Sequence, residues 1–126
     1  MNVSEMGGPV SELVLTCRTE DSGEPEIAKG DPLQLTGSYT VARTTESGGP
    51  LFGQALRGAT GPGKRVPVLV KGVCVFKYTG AAPVVDGDSG VTGSDEPGMV
   101  EAPALGAGTG LAIAVDEAAG TVHVLL

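Results

Sequence analysis

The sequence contains few of the side chains on which most catalytic and ligand-binding sites depend. Its 126 residues include one histidine, two cysteines, no tryptophan and only 3% aromatic residues. With so few donors it does not provide the ligand spacing of a zinc site, and it offers few platforms for stacked bases or sugars. Basic residues are also scarce, so the formal net charge is −7. This acidic balance argues against direct binding of nucleic acid.

Long apolar runs are missing as well. No run approaches the roughly 20 residues that a membrane-spanning helix needs. The N-terminal segment has an acidic flank and no basic region followed by an apolar one. The sequence therefore predicts a soluble protein that the Sec pathway does not export and that has no membrane partner. No stretch of ten or more residues shows a helical apolar period free of glycine and proline, which predicts little or no helix.

Glycine, proline and valine dominate instead. The 21 glycines and 9 prolines punctuate the chain, and between them apolar and polar residues alternate at the period of strands. These runs hold the apolar surface that disordered chains lack. The sequence predicts an all-β fold, a small barrel or sandwich of roughly six to nine short strands with long Gly/Pro loops. We expect a single domain over residues 12–126, preceded by a flexible arm over residues 1–11.

The longest predicted strand runs from Arg65 to Tyr78 and is bent or split at Gly72. Its even positions form one apolar face, which we assign to the core. That face consists of Val66, Val68, Val70, Cys74, Phe76 and Tyr78. The odd face is mixed, and we expect it to be available to a neighbouring subunit. It consists of Pro67, Leu69, Lys71, Val73, Val75 and Lys77.

Shorter strands are predicted before and after this one. Alternation in "ELVLTC" places Leu13, Leu15 and Cys17 on one face, and "PLQLTGSYTV" places Leu33 and Leu35 on one side. The remaining predicted segments are a strand from "LFGQALRG", a short strand at 99–101 and a closing hairpin formed by 112–115 and 122–126.

The stretch "GATGPGKR", Gly58 to Arg65, matches all but the last position of the phosphate-binding pattern G-x-x-x-x-G-K-[ST]. A P-loop needs a helix after its lysine, whereas Pro67 and the alternating valines predict a strand here. Arg65 also replaces the hydroxyl residue that would hold Mg²⁺. The sequence therefore predicts a flexible turn between two strands and no nucleotide cofactor.

The stretch "GDSG", Gly87 to Gly90, resembles the segment around the nucleophile of chymotrypsin-like proteases. Such a serine needs a histidine as its base. The only histidine, His123, follows Ser89 in the chain, contrary to the order in that family, and has outward parity on the last strand. We interpret the stretch as a turn and predict that the protein is not an enzyme.

Other polar features are also interpreted as structural. In the acidic loop 86–98, Gly90 stands where an EF-hand has its third oxygen ligand, so no metal site is predicted. The stretch "LGAGTG" lacks the full dinucleotide fingerprint and precedes a strand. Glu101 has no partner that sequence can place across a cleft, as a glycosidase would need. Cys17 and Cys74 lie far apart in apolar runs and are predicted to be buried thiols.

Three segments, in this order and at this separation, resemble the small capsid decoration (cement) proteins of tailed bacteriophages: "KGDPLQLTGSYTV", "RVPVLVKGVCVFKYTGAAP" and "AIAVDEAAGTVHVLL". That family has a Gly-Asp-Pro entry to an early strand, a Val-rich middle strand with a V-x-G-V-type step and a short closing hairpin. The matching positions are Gly30, Asp31, Pro32, Val68, Val70, Gly72, Val73, Ala118, Ala119, Gly120, Thr121, Val122, Val124 and Leu126. The resemblance covers residues from about 29 to 126.

The resemblance implies a β-barrel or β-tulip-like subunit, often a homotrimer, that binds the major capsid protein between capsomers on the outside of an expanded head. It places the protein on the capsid exterior of a virion assembled in the host cytoplasm, without a catalytic, cofactor or metal site. We further expect the N-terminal arm to add a strand to an exposed capsid sheet edge. The capsid-binding residues would then be Met1, Asn2, Val3, Ser4, Glu5, Met6, Gly7, Gly8, Pro9, Val10 and Ser11.

Two other classes of function stay open from the sequence. One is a small β module of a tail fibre or adhesin that recognises a cell-surface glycan or receptor. Such a module needs a concave site with aromatic or metal-assisted sugar contacts. The other is an oligomeric scaffold without a ligand.

Overall fold

The protein is an all-β molecule. A computed structural model describes residues 12–126, which form twelve strands and no helix. None of these residues, accordingly, lies in a helix that could cross a membrane. The predicted all-β class with a small barrel is confirmed. The arm predicted at residues 1–11 lies outside the described residues.

The number of strands exceeds the predicted six to nine. In chain order the strands are β1 (Leu13–Arg18), β2 (Glu26–Ile27), β3 (Pro32–Gly37), β4 (Thr40–Arg43), β5 (Gly53–Ala55), β6 (Ala59–Thr60), β7 (Arg65–Lys71), β8 (Val73–Tyr78), β9 (Thr92–Gly93), β10 (Met99–Glu101), β11 (Leu111–Asp116) and β12 (Thr121–Leu125). Five of them have only two or three residues, too few for an alternating pattern to be visible in the sequence.

Five strands close into a barrel in the order β1-β4-β3-β5-β7. The ring closes where β7 pairs antiparallel with β1 over the whole length of β1. On its other side β1 meets β4 in parallel at a single pair, Arg18 and Thr40. Strand β1 is therefore held to the barrel mainly by β7, and only one residue pair connects it to the β3–β4 hairpin.

The second large sheet has the order β11-β12-β8-β10-β9, and β2 pairs with β6 in a small ribbon. Strand β8 pairs antiparallel with β12 from Val73 opposite Leu125 to Lys77 opposite Thr121. Strands β11 and β12 form the predicted closing hairpin. Its loop is closed by Gly120, whose N–H donates to the Asp116 carbonyl at 2.8 Å.

Gly72 joins the two sheets, because it is the single residue between β7 and β8. Its φ is 135°, which residues with a side chain rarely adopt. The predicted even face is buried on both sides of Gly72, but it contributes to two cores. Val66, Val68 and Val70 lie in the barrel core, whereas Cys74 and Phe76 lie in the sheet core.

Leu69 departs from the predicted pattern, since it belongs to the odd face but is only 4% exposed. It extends from barrel strand β7 into the sheet core. A second link between the two sheets is a hydrogen bond from Gln54 Nε2 on β5 to the Val75 carbonyl on β8, at 2.7 Å. The mixed face therefore does not point outward throughout: Leu69 is buried, whereas Val73, Val75 and Lys77 are exposed.

Two leucines at the mouth of the barrel are exposed. Leu13 was predicted to share a face with Cys17, and Leu35 with Leu33. The first of each pair is exposed, at 49% and 51%, whereas Cys17 and Leu33 are buried. Burial decreases along both strands toward this end, from Cys17 to Leu13 on β1 and from Leu33 to Leu35 on β3. A cavity of about 180 Å³ at the mouth is lined by Leu15, Cys17, Leu35, Tyr39 and Phe52. Alternation gave the direction of these side chains but not where the core ends.

The Gly30-Asp31-Pro32 turn is fixed by the buried carboxylate of Asp31, which is 5% exposed. Its Oδ2 atom accepts hydrogen bonds from the Ala28 N–H at 2.8 Å and from Arg43 Nε and Nη2 at 3.1 and 2.6 Å. The Asp31 carbonyl accepts the Ala55 N–H at 3.0 Å. One residue thus joins the turn before β3 to strands β4 and β5.

Candidate functional site

The P-loop-like stretch forms the turn between β6 and β7, as predicted. Its N–H groups donate to the protein's own oxygens: Gly61 to the Pro25 carbonyl, Gly63 to the Glu20 carbonyl and Lys64 to Thr19 Oγ1. A strand, not a helix, follows Lys64. The groups that would surround a phosphate in a P-loop are therefore engaged within the fold.

The "GDSG" stretch is organised by Asp86. Its carboxylate accepts the N–H groups of Asp88 and Ser89 at 2.8 and 2.9 Å and the Ser89 hydroxyl at 3.0 Å. These hydrogen bonds, the one from the Asp88 N–H foremost, lower the pKa of Asp86. His123 lies in β12, opposite Val75, and forms no hydrogen bond with Ser89 among those of the described residues. Ser89 therefore has Asp86, not a histidine, as its hydrogen-bond acceptor.

The remaining polar candidates also have structural partners. Glu101 Oε1 accepts hydrogen bonds from the Ser47 hydroxyl and from the Gly48 N–H, which fastens the loop after β4 to β10. In the "LGAGTG" stretch, Thr109 exchanges both backbone hydrogen bonds with Val91. Residues 12–126 contain no group of three or more His, Cys, Asp or Glu side chains placed to hold a metal ion.

The two cysteines are free and buried, as predicted. They lie in different cores, Cys17 in the barrel and Cys74 in the sheet. Burial raises the pKa of Cys17. Burial, with a smaller contribution from the Glu12 carboxylate, raises the pKa of Cys74 to about 11. Both thiols are therefore protonated at neutral pH and behave as small apolar side chains.

The most distinctive surface is the outward side of strands β8, β12 and β11. Cross-strand register places Leu111, Leu125 and Val73 in one row and Ala114, His123 and Val75 in the next. Ile113 joins them through a bulge in β11. We call this set the outer sheet face: Val73, Val75, Leu111, Ile113, Ala114, His123 and Leu125.

The outer sheet face is apolar and accessible. Val73, Val75, Ile113 and Leu125 are each 40% to 47% exposed, whereas the opposite side of the same strands includes the buried Cys74, Phe76, Ala112, Val122 and Val124. One exposed apolar residue on a surface is ordinary, whereas several adjacent ones on a sheet are typical of a protein contact. The face ends at Lys77 and Thr121, which form the next, polar row. Its chemistry suits a large apolar partner surface and provides no nucleophile.

The sequence predicted only part of this surface. The odd positions of β8 predicted Val73 and Val75 as outward residues, and both are exposed. Ile113 and Leu125 were missed, because they join the face only through strand pairing and a bulge. Leu125 could have been found from the sequence, because it lies two residues after His123 on the same strand and therefore shares the outward side predicted for His123. Comparison of the chain with protein-family models and with curated proteins gives no significant match.

Proposed function

We propose that the protein is a structural virion component that decorates and stabilises the outer surface of an expanded phage capsid by binding between capsomers. The observation that carries the proposal is the outer sheet face, an accessible apolar surface on an otherwise acidic protein. The motif order from the Gly-Asp-Pro turn to the closing hairpin supports the same function. Each of these motifs has a structural role in the fold: Asp31 fixes a turn, Gly72 connects two sheets, and Gly120 closes a hairpin.

The shape of the outer sheet face favours a protein partner over a small ligand. Sites for small molecules are concave and enclose most of the ligand surface. The outer sheet face is instead one side of three adjacent strands, so its residues contact a partner across a broad area. Burying exposed valine, leucine and isoleucine side chains contributes about 25 cal/mol per Å² of apolar area. A capsid surface that covers several of them gains affinity without a specific chemical group.

Capsid stabilisation follows from selective binding. A protein that binds the expanded lattice but not its precursor stabilises the expanded form by mass action. In our proposal the protein acts as a homotrimer, so that its second and third contacts form at high effective concentration. Each individual contact can then be weak while occupancy of the lattice stays high.

The first test is co-sedimentation of the purified protein with undecorated heads of its source virus, before and after expansion. We expect saturable binding to expanded heads. Val73→Glu and Ile113→Glu should each weaken binding by at least about ten-fold, because a charge is placed in an apolar contact. Val84→Glu and Leu105→Glu are matched controls, since both residues are exposed loop positions outside the outer sheet face. The controls should bind like the unaltered protein.

Two results would contradict the proposal. Absence of binding to expanded heads, with binding on a glycan array, would assign the protein to the class of adhesin or tail-fibre modules. Equal binding by Val73→Glu, Ile113→Glu and their controls would show that the contact lies elsewhere on the molecule. Thermal unfolding of every variant provides the folding control, because all four substitutions are at exposed positions.

A further inference from the structure

A pocket of about 320 Å³ lies beside the outer sheet face, between the turn before β3, strands β4 and β8, and the start of β10. Three basic residues line it: Lys29, Arg43 and Lys77. Val75, Pro97 and Met99 provide apolar parts of the same wall. The pocket is thus formed where the barrel and the second sheet meet.

The pocket concentrates positive charge on an acidic chain. It holds three of the eight lysine and arginine residues of the sequence, although the formal net charge is −7. Asp31 is the single carboxylate among the described residues that line it. Neither Lys29 nor Lys77 forms an ion pair within residues 12–126. The lining therefore carries two positive charges more than negative ones.

Asp31 also orients Arg43 so that the arginine can donate hydrogen bonds to a second acceptor. Its Oδ2 atom takes Nε and Nη2 of Arg43 at 3.1 and 2.6 Å, which fixes the plane of the guanidinium group. A guanidinium group has five N–H donors, so others stay available on a side chain that is 28% exposed. The buried carboxylate thereby holds a partly exposed arginine in place at the pocket.

We infer that this pocket binds the carboxylate side chains of an acidic segment of the partner protein. The inference rests on the proposed function and identifies the partner's chemistry at the edge of the outer sheet face. Val75 belongs both to that face and to the pocket wall, and Lys77 follows it in the next outward row. A partner that covers Val75 therefore brings its adjacent residues to Lys77 and Arg43. Carboxylates are the protein groups that pair with such cations.

The test compares two double variants with the same change in charge. Lys29→Glu/Lys77→Glu alters the pocket. Lys64→Glu/Arg65→Glu alters the last residue of the turn before β7 and the first residue of β7, both outside the pocket lining. Binding of the pocket variant to expanded heads should be at least about ten-fold weaker, because both charge pairs become repulsive. The control should stay within about two-fold of the unaltered protein. The affinity of the unaltered protein should also fall with added NaCl, since salt screens exposed charges.

A second measurement does not require capsids. The ¹⁵N-labelled protein is titrated with a tri-glutamate peptide and, separately, with inorganic phosphate. We expect the peptide to shift the amide signals of Lys29, Gly98 and Met99, which border the pocket, and phosphate to shift them less. An equal response to phosphate would overturn the assignment to a carboxylate segment. Absence of any response to the peptide would show that the pocket is not a binding site for carboxylates.

The outcomes separate the inference from the proposed function. If the unaltered protein fails to bind expanded heads, the proposed function is wrong. The peptide titration still tests whether the pocket binds carboxylates. If the unaltered protein binds heads and Lys29→Glu/Lys77→Glu binds equally well, the decoration function stands and the inference is wrong.

Discussion

Asp31 shows how one residue can connect a sequence motif to the fold. In the sequence it is the centre of a Gly-Asp-Pro turn, which many β proteins contain. In the structure its carboxylate is almost completely buried and accepts hydrogen bonds from a backbone N–H and an arginine of the neighbouring strand. A charge in such a position is stable only while these donors are present.

Asp31→Asn should therefore destabilise the protein by about 1–3 kcal/mol, because it removes the charge that pairs with Arg43 and weakens the turn. Urea unfolding followed by circular dichroism measures the change. Asp21→Asn is the control, since the Arg18–Asp21 pair is 3.6 Å apart with side chains 51% and 72% exposed. Its effect should be below about 0.5 kcal/mol. Equal effects from the two substitutions would show that Asp31 contributes no more than a surface charge.

At the scale of elements, the decisive feature is the transition from β7 to β8. Both strands read as one valine-rich run, yet they belong to different sheets and different cores. The transition takes place within one residue, Gly72, whose φ of 135° directs the chain from the barrel to the second sheet.

Gly72→Ala should destabilise the fold by about 1–3 kcal/mol, because alanine is strained at this φ. An added Cβ atom would also lie 3.2 Å from Cγ of Glu12. Gly37→Ala is the matched control: Gly37 has no positive φ, and its added Cβ atom would be in ordinary contact with Thr40 at 3.5 Å. Thermal unfolding of both variants checks the prediction, which a similar melting temperature for the two would contradict.

At the scale of the whole molecule, the barrel and the second sheet are joined by side chains as well as by Gly72. Leu69 extends from the barrel into the sheet core, and Gln54 bonds to β8 from β5. The core of the second sheet includes Leu69 of the barrel, so local opening of the barrel alone exposes apolar surface of both cores. The two sheets should therefore unfold together.

The cysteines report on this coupling, because each core contains one thiol. Pulses of N-ethylmaleimide across a urea series, followed by mass spectrometry of the peptides, should show Cys17 and Cys74 becoming reactive over the same urea range. The pulse without urea measures native access to Cys17 through the cavity at the barrel mouth. If Cys17 reacts fully at a urea concentration that still protects Cys74, the barrel unfolds independently.

Much of the fold was accessible from local patterns. The even positions from Val66 to Phe76 are buried, and the strand at 99–101 and the closing hairpin lie where they were predicted. These successes share a cause, since alternation and turn residues act between neighbours along the chain. Leu69 was assigned to the mixed face but is buried, because its burial depends on the second sheet that packs against it. The strands of two or three residues were missed because they exist only through pairing.

The sequence by itself determined the class of structure: all-β, acidic and rich in tight turns. Only the tertiary structure brought Val73, Ile113 and Leu125 onto one face and placed Lys29, Arg43 and Lys77 around one pocket. The physical reason is the range of the interactions. Backbone geometry and alternation are local, whereas a surface is made by register between strands that are distant in the chain.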